Sequence, residues 1–441
     1  MNAIRTLSTC TLGLVLAAAC GVPAPSSTPG AGGADPLAPV AERYTRLVLA
    51  MGQHDRDYVD AYYGPPAWQE QEAAAKRPLP VIQAEADSLL RVLPGLAPHG
   101  GDEMLALRHR YLTRQLEALR ARTAMLGGQR LAFQDEARAL YDAEVPRVPE
   151  SEFRAVRARL EALLPGTDPL PQRVERYRQQ FVIPRERLDT VFRTAVAEAR
   201  RRTLRHVRLP ENESFTIEYV TGKSWSGYNW YQGNARSLIQ VNTDLPIFID
   251  RALDLAAHEG YPGHHVYNVL LEQHLVRERG WPEFSVYPLF SPQSLIAEGS
   301  ANFGIEVAFP GAERLAFERD VLFPLAGLDA SKAAEYAEVR ELLGRLSYAD
   351  NEAARRYLDG EITREQAAAW LQELGLSSPE RARQRVSFID QYRSYVINYN
   401  LGRDMVRRFV ESRGGTADQP ERRWEVFSGL LSSPRLPSGL R

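Results

Sequence analysis

Three of the eight histidines of this 441-residue chain fall in one short stretch, His258-Glu259-Gly260-Tyr261-Pro262-Gly263-His264-His265. Imidazoles beside a carboxylate are the donor set that holds zinc. A glutamate next to the ligands is placed to take the proton of a water that attacks a carbonyl. The apolar run Phe248 to Ala257 leads into the stretch with helical character. On a straight helix, at 1.5 Å per residue, His258 and His264 would stand about 9 Å apart. Two imidazoles bound to one ion at roughly 2.0–2.1 Å must lie far closer. The position that would serve, four residues after His258, is Pro262. The helix must therefore distort if the site exists. Pro262 lacks an N–H and crowds the His258 carbonyl, while Gly260 and Gly263 tolerate backbone angles that other residues avoid. A local bulge is expected to bring His264, or in its place His265, beside His258.

Two histidines leave zinc one protein ligand short. Glu298, in Ala297-Glu298-Gly299-Ser300-Ala301-Asn302, is the candidate: a carboxylate opening an otherwise small and apolar helical turn, whose neighbours let two helices approach. Water takes the open fourth position, and Glu259 accepts its proton. Glu306, two turns further on, either supports the site or is a surface group. The bland alternative for the whole stretch is a Gly-Pro helix end with no metal.

The elements that must position these groups are mostly helical. From Leu37 to about Val207 the apolar residues recur at helical spacing, as in the run from Met104 to Leu126, and Ile183-Pro184 is expected to open another helix. After Val207 the character changes. Phe215 to Val220 and Ser237 to Asn242 alternate as strands. Trp225 to Gly233 reads as an aromatic loop containing Tyr228. Asn242-Thr243-Asp244 offers N-cap oxygens for the helix leading to His258. The strand from Ser237 to Asn242 is expected at the edge of a cleft above the metal, with Asn242 and Tyr228 contacting substrate. Leu295 to Val307 and Tyr392 to Phe409 read as helices, Thr363 to Gln366 as a capping box, and Ser378-Pro379 as a helix start. The expected fold is mainly α: one large multi-helix domain over residues 37–441, with a helical part (37–207) and a metal-site part (208–441). A small antiparallel β element lies beside a zincin-like active-site helix.

A net charge of −2 gives no reason to expect nucleic acid. No apolar run approaches the roughly 20 residues of a membrane span. At the N-terminus, Arg5, the apolar Leu12 to Ala19 and the small residues before Cys20 resemble a lipoprotein signal (1–19), with Cys20 lipidated and a Pro/Gly/Ser-rich tether (20–36) following. Gly21 after Cys20 favours the outer membrane. The only other cysteine, Cys10, lies in the signal, so any metal of the processed chain must be held by His, Asp and Glu.

The stretch His258 to His265 is similar to the HE-x-x-PGHH signature of the family called domain of unknown function 885, and Glu298-Gly299-Ser300-Ala301 is similar to its downstream EG-x-A element. The resemblance spans about Leu37 to the C-terminus. It implies a mainly helical, gluzincin-like metallopeptidase, often a bacterial lipoprotein, with one zinc held by two His and a Glu and with Glu259 as base. The family's residues after the His pair differ here, Val266-Tyr267, and so does its Pro-Gly-Gln run. Tyr399 and Gly402 match its C-terminal element. Gluzincin-like sites often use a tyrosine as donor to the oxyanion, which gives Tyr399 that role, with a packed helical tyrosine as the alternative; Arg393 or Arg403 is the candidate partner for a peptide carboxylate. The expected activity is hydrolysis of a peptide at the cell envelope. The alternatives are a non-catalytic, membrane-anchored binding lipoprotein and a metal hydrolase of another amide or ester.

Overall fold

Asp102 accepts hydrogen bonds from the Met104 and Leu105 amides at 2.9 and 3.2 Å, and the helix that it caps runs from Glu103 to Leu126. Its Leu107, Tyr111, Leu112, Leu116 and Leu119 form the buried stripe that the spacing predicts. Most of the chain is built this way in the computed structural model, which describes residues 35–98 and 100–440. The signal, Cys20 and the tether up to residue 34 lie outside the described residues. Leu37–Arg441 is one compact unit, mainly α with a small sheet. Among the described residues no helix is long and apolar enough to cross a membrane.

Eight helices position the site: α1 (Ala38–Met51), α2 (Glu103–Leu126), α3 (Leu188–Thr203), α4 (Ile249–Leu255), α5 (His264–Leu271), α6 (Pro292–Ala308), α7 (Pro379–Tyr392) and α8 (Ile397–Glu411). The strands are β1 (Val59–Tyr62), β2 (Ser214–Val220), β3 (Gly227–Gly233), β4 (Arg236–Asn242) and β5 (Val286–Pro288). α1 and α2 share a core with residues of α6, α7 and α8, so the N-terminal helices buttress the back of the site helices. A second core joins α3, β4, α4 and α5 to the C-terminal helices. Ser378 caps α7 through the Arg381 amide at 3.3 Å, and the capping box at Thr363 forms with Gln366.

The sheet differs from expectation in three respects. Its order is β2-β4-β3, with β2 parallel and β3 antiparallel to β4, so β4 is central and cannot be the cleft edge. The edge on the site's side is β3, expected as a loop. There Asn229, Tyr231 and Gly233 are buried while Trp230 and Gln232 are exposed, a period-2 alternation that overrides the glycine punctuation. Asn242 and Asp244 do not cap α4, which starts at Ile249 after Phe248. The Asn242 amide instead donates to the carbonyls of Lys223 and Trp225, both at 2.9 Å, and Asp244 accepts from the Gly222 amide at 2.8 Å. These polar groups shape the turn into β3. Pro184 precedes a short 3₁₀ turn, and α3 proper begins at Leu188. The C-terminal helical run is broken at Arg393, which adopts φ 54° and separates α7 from α8 by a 3₁₀ turn.

Candidate metal centre

The chain meets the spacing problem of His258 and His264 by ending one helix and starting another. α4 gives way to a π turn over Ala256–Gly260, which carries His258 and Glu259. Tyr261 is extended, and α5 restarts with His264 as its first residue. Gly263 makes the return possible. Its amide donates to the Ala257 carbonyl at 2.9 Å, and a Cβ there would stand 1.8 Å from the His258 carbonyl oxygen, so only glycine fits. The expected bulge is thus a full break, and it brings the two imidazole Nε2 atoms to 3.1 Å.

Glu298 comes from α6. Its Oε2 lies 3.2 Å from His258 Nε2 and 3.6 Å from His264 Nε2. Its Oε1 accepts the Tyr395 hydroxyl of the 3₁₀ turn at 2.8 Å, which aims Oε2 at the histidines. The glycine beside it sets the helix approach: a Cβ on Gly299 would meet the Gly402 carbonyl carbon of α8 at 2.4 Å. Asn302 ties the same helices by donating to the Tyr399 carbonyl at 3.2 Å.

Three lone-pair atoms therefore converge with separations of 3.1, 3.2 and 3.6 Å. Ligands at roughly 2.0–2.1 Å on the corners of a tetrahedron are about 3.3–3.4 Å apart, so the set fits a zinc-sized ion. Glu298 Oε2 is buried and has no hydrogen-bonded partner, which is what a coordinating oxygen needs. His258 Nδ1 is also buried without a partner, so nothing in the protein fixes that ring's tautomer. Burial alone would raise the Glu298 pKa, but His264 and the contacts with both imidazoles outweigh it and hold the carboxyl well below the usual range. For His264, burial opposes the charge, and Glu298, Glu259 and Asp60 raise the pKa to about 9.

Glu259 is next to the triad but is not part of it. Its carboxylate makes no hydrogen bond among the described residues, while its backbone carbonyl accepts Asn229 Nδ2 of β3 at 2.7 Å. Burial pushes its pKa up, against the pull of His258 and His264. β3 passes so close that a Cβ on Gly227 would lie 2.7 Å from Glu259 Oε1. Tyr399, one turn beyond Tyr395, feels Glu298 and Glu259, and burial first, then Glu298, raises its pKa well above the ordinary phenol. Its hydroxyl has no hydrogen-bond partner among the described residues.

His265 points away from the cluster. Its Nδ1 meets Ser237 Oγ at 2.9 Å and its Nε2 meets Glu213 Oε2 at 3.1 Å, in full burial. Burial outweighs Glu213 and lowers its pKa, so the ring is neutral near pH 7, donating from Nε2 and accepting at Nδ1. Of the two candidates, His264 is the one beside His258 and Glu298.

The triad opens into a cavity of about 610 Å³, also lined by Asp60, Tyr228, Arg251, Arg381 and Tyr399. Tyr228 is at the wall, but its hydroxyl is committed to Asp60 Oδ1 at 3.0 Å. Burial raises the Asp60 pKa to about 7. Asn242 does not reach the cavity. Neither does Arg393, whose Nε donates to the buried Glu136 at 2.7 Å, nor Arg403, paired with Asp404 at 3.1 Å. Glu306 pairs with Arg407, away from the site. Asp60, Tyr395, Arg251 and Arg381 were not singled out in the sequence. Asp60 sits in a four-residue strand with no motif, and the two arginines are lost among the many on helices. Only Tyr395 carried a local signal, four residues before Tyr399.

No protein-family model matches the chain, and no curated protein matches it. Among solved structures it is similar to "the putative lipoprotein from Colwellia psychrerythraea", with a TM-score of 0.51 and 15% identity over 81% of this chain and 68% of that one. It also aligns with a structure described as BsuCP (TM-score 0.46, 11% identity, 90% of this chain and 89% of that one). A third is the M32 carboxypeptidase from Deinococcus radiodurans R1 (0.37, 14%, 89% and 90%). The first likeness is one of overall fold, and the other two are too distant to carry weight.

Proposed function

We propose that the chain is a zinc-dependent peptidase in which His258, His264 and Glu298 hold the ion and Glu259 is the general base. The observation that carries this reading is the convergence of three ligand atoms, one of them a buried carboxylate oxygen without a partner, beside a second buried carboxylate open to a cavity. Zinc held there would supply Lewis acidity to a carbonyl and ease deprotonation of a water. Glu259 takes the proton from the attacking water and passes it to the leaving amine. Its raised pKa makes it a better carrier than an ordinary carboxylate. Tyr399 keeps its proton and donates to the carbonyl oxygen as charge builds there. Tyr395 orients Glu298.

A peptide substrate is supported by the edge position of β3, since Ser226 to Asn229 line the cavity and an extended chain binds such an edge through its backbone. Anchoring through a lipidated Cys20 to the cell envelope is part of the proposal and rests on the sequence, as does membership of the domain of unknown function 885 family. The test is hydrolysis of a peptide library by the zinc-loaded protein and by its Glu259→Gln variant. The variant is expected to keep its metal and lose about 10²–10⁴ in rate. Full activity in Glu259→Gln would overturn the mechanism.

A further inference from the structure

α4 carries Arg251, Asp254 and Leu255 seven, four and three residues before His258 of the π turn that continues it, and all four line the cavity. Along the helix axis Arg251 lies about 10 Å from His258. Arg381, from the first turn of α7, lines the same cavity.

Arg381 is a cation in the wrong place for the protein alone. It has no ion-pair partner among the described residues. Its one side-chain hydrogen bond among the described residues goes to the Pro246 carbonyl at 3.1 Å, and its guanidinium lies 5.2 Å from the Phe248 ring centre. The start of a helix disfavours a cation and favours an anion. Burial first, then Arg178, lowers its pKa, with Arg251 adding to the shift and Glu175 and Asp250 opposing it. Arg251 offers it no relief. The carboxylate near Arg251, Asp254, is 3.7 Å away and is already held by Arg314 at 2.7 Å. The next carboxylate, Asp250, is buried and hydrogen-bonded by Tyr336 at 2.6 Å. Glu318 lies between Arg314 and Arg340, at 2.8 and 2.7 Å. Arg251 and Arg381 are thus two of the four arginines that line the cavity, with Arg56 and Arg385, and among the described residues neither of the two makes an ion pair shorter than 3.7 Å. Both side chains are partly exposed, Arg251 by 38%, so an anion entering the cavity finds guanidinium donors that no short ion pair holds.

We infer that Arg251 and Arg381 form a subsite for a carboxylate of the substrate. The inference rests on the peptidase reading and gives it a substrate class: peptides with a carboxylate near the reacting bond. An extended chain advances about 3.3–3.6 Å per residue, so a span of about 10 Å places the carboxylate about three residues from the bond beside the triad. The carboxylate belongs either to the peptide's C-terminus or to an acidic side chain.

Three N-acetylated peptide libraries distinguish these sources: a neutral one with free C-termini, the same one amidated, and an amidated one containing Asp and Glu. The zinc-loaded wild type is expected to cleave one carboxylate-bearing library at least about 100-fold better in kcat/KM than the neutral amidated one. The free library winning assigns the C-terminus, and the acidic one assigns a side chain. Arg381→Gln and Arg251→Gln should collapse that ratio, chiefly through KM, with Arg381→Lys restoring part of it. Arg403→Gln, outside the cavity, should keep the preference. Equal cleavage of all three libraries, or a preference that survives both glutamine variants, would overturn the subsite and leave the peptidase standing. Binding of the same libraries to zinc-loaded Glu259→Gln separates the two failures. A carboxylate preference there that Arg381→Gln abolishes supports the subsite even where hydrolysis is absent, and no preference in either assay removes it.

Discussion

Two His–Glu clusters lie on either side of the α5 start, built from adjacent residues, and they are opposites. In one, His258, His264 and Glu298 point their lone pairs at a common centre, Glu298 Oε2 has no donor, and the group opens into a cavity. In the other, His265 is saturated by Ser237 and Glu213, while Glu213 also accepts Tyr261 at 2.6 Å and Arg200 at 2.9 Å. The second has the residue types of a hydrolytic Ser-His-Glu array, but it is buried and every partner is used, so it acts as a brace. It fixes β4 and the strand's neighbour Glu213 to the residue after His264, and so fixes where His264 stands. Saturation separates architecture from site here, where residue type does not.

The comparison can be broken at several points. The largest effect is expected from the brace: His265→Ala leaves Glu213 with one donor fewer in full burial and should cost about 2–4 kcal/mol in urea unfolding. A loss below about 0.5 kcal/mol, the range of an ordinary surface change, would mean that the network braces nothing. The second concerns pH. Burial would raise the Glu213 pKa, but His265, Tyr261 and Arg200 bring it from 4.5 down to about 2. A depressed carboxyl contributes stability above its unfolded value and loses it as pH falls through the folded one. The stability gap between wild type and Glu213→Gln should therefore be full above pH 4.5 and narrow toward pH 2, and a gap that widens on acidification would contradict the ion pair. Third, Gly227→Ala should displace the Glu259 carboxylate without touching the ligands, lowering hydrolysis about 10-fold with zinc content unchanged. Smallest is Tyr399→Phe, expected to lower kcat several-fold with KM kept, because the hydroxyl acts on charge that develops during reaction.

Much of this was legible in the sequence. His258, Glu259, Pro262 and Gly263 announced a distorted helix, since the position four residues after His258 could not be a ligand, and Glu298 stood out as a carboxylate among small residues. The choice between His264 and His265 was not legible. Both are allowed by the same spacing, and what divides them is the phase in which α5 restarts and a partner, Glu213, far away in the chain. β3 was misread because the glycines at its ends signal a loop, whereas its aromatic residues, pairing with β4 and burial of alternate residues decide for a strand. The cavity arginines were hidden for a different reason. Among so many solvated arginines nothing local marks Arg251 or Arg381, and Arg393, which looked better placed, is consumed by Glu136.

The most direct test of the central claim is the zinc content of the purified protein and of two single variants, His264→Ala and His265→Ala. The account predicts near-stoichiometric zinc in the wild type and in His265→Ala, with the latter less stable, and none retained by His264→Ala. Zinc lost from His265→Ala and kept by His264→Ala, or a wild type that takes up none when zinc is supplied, would contradict it.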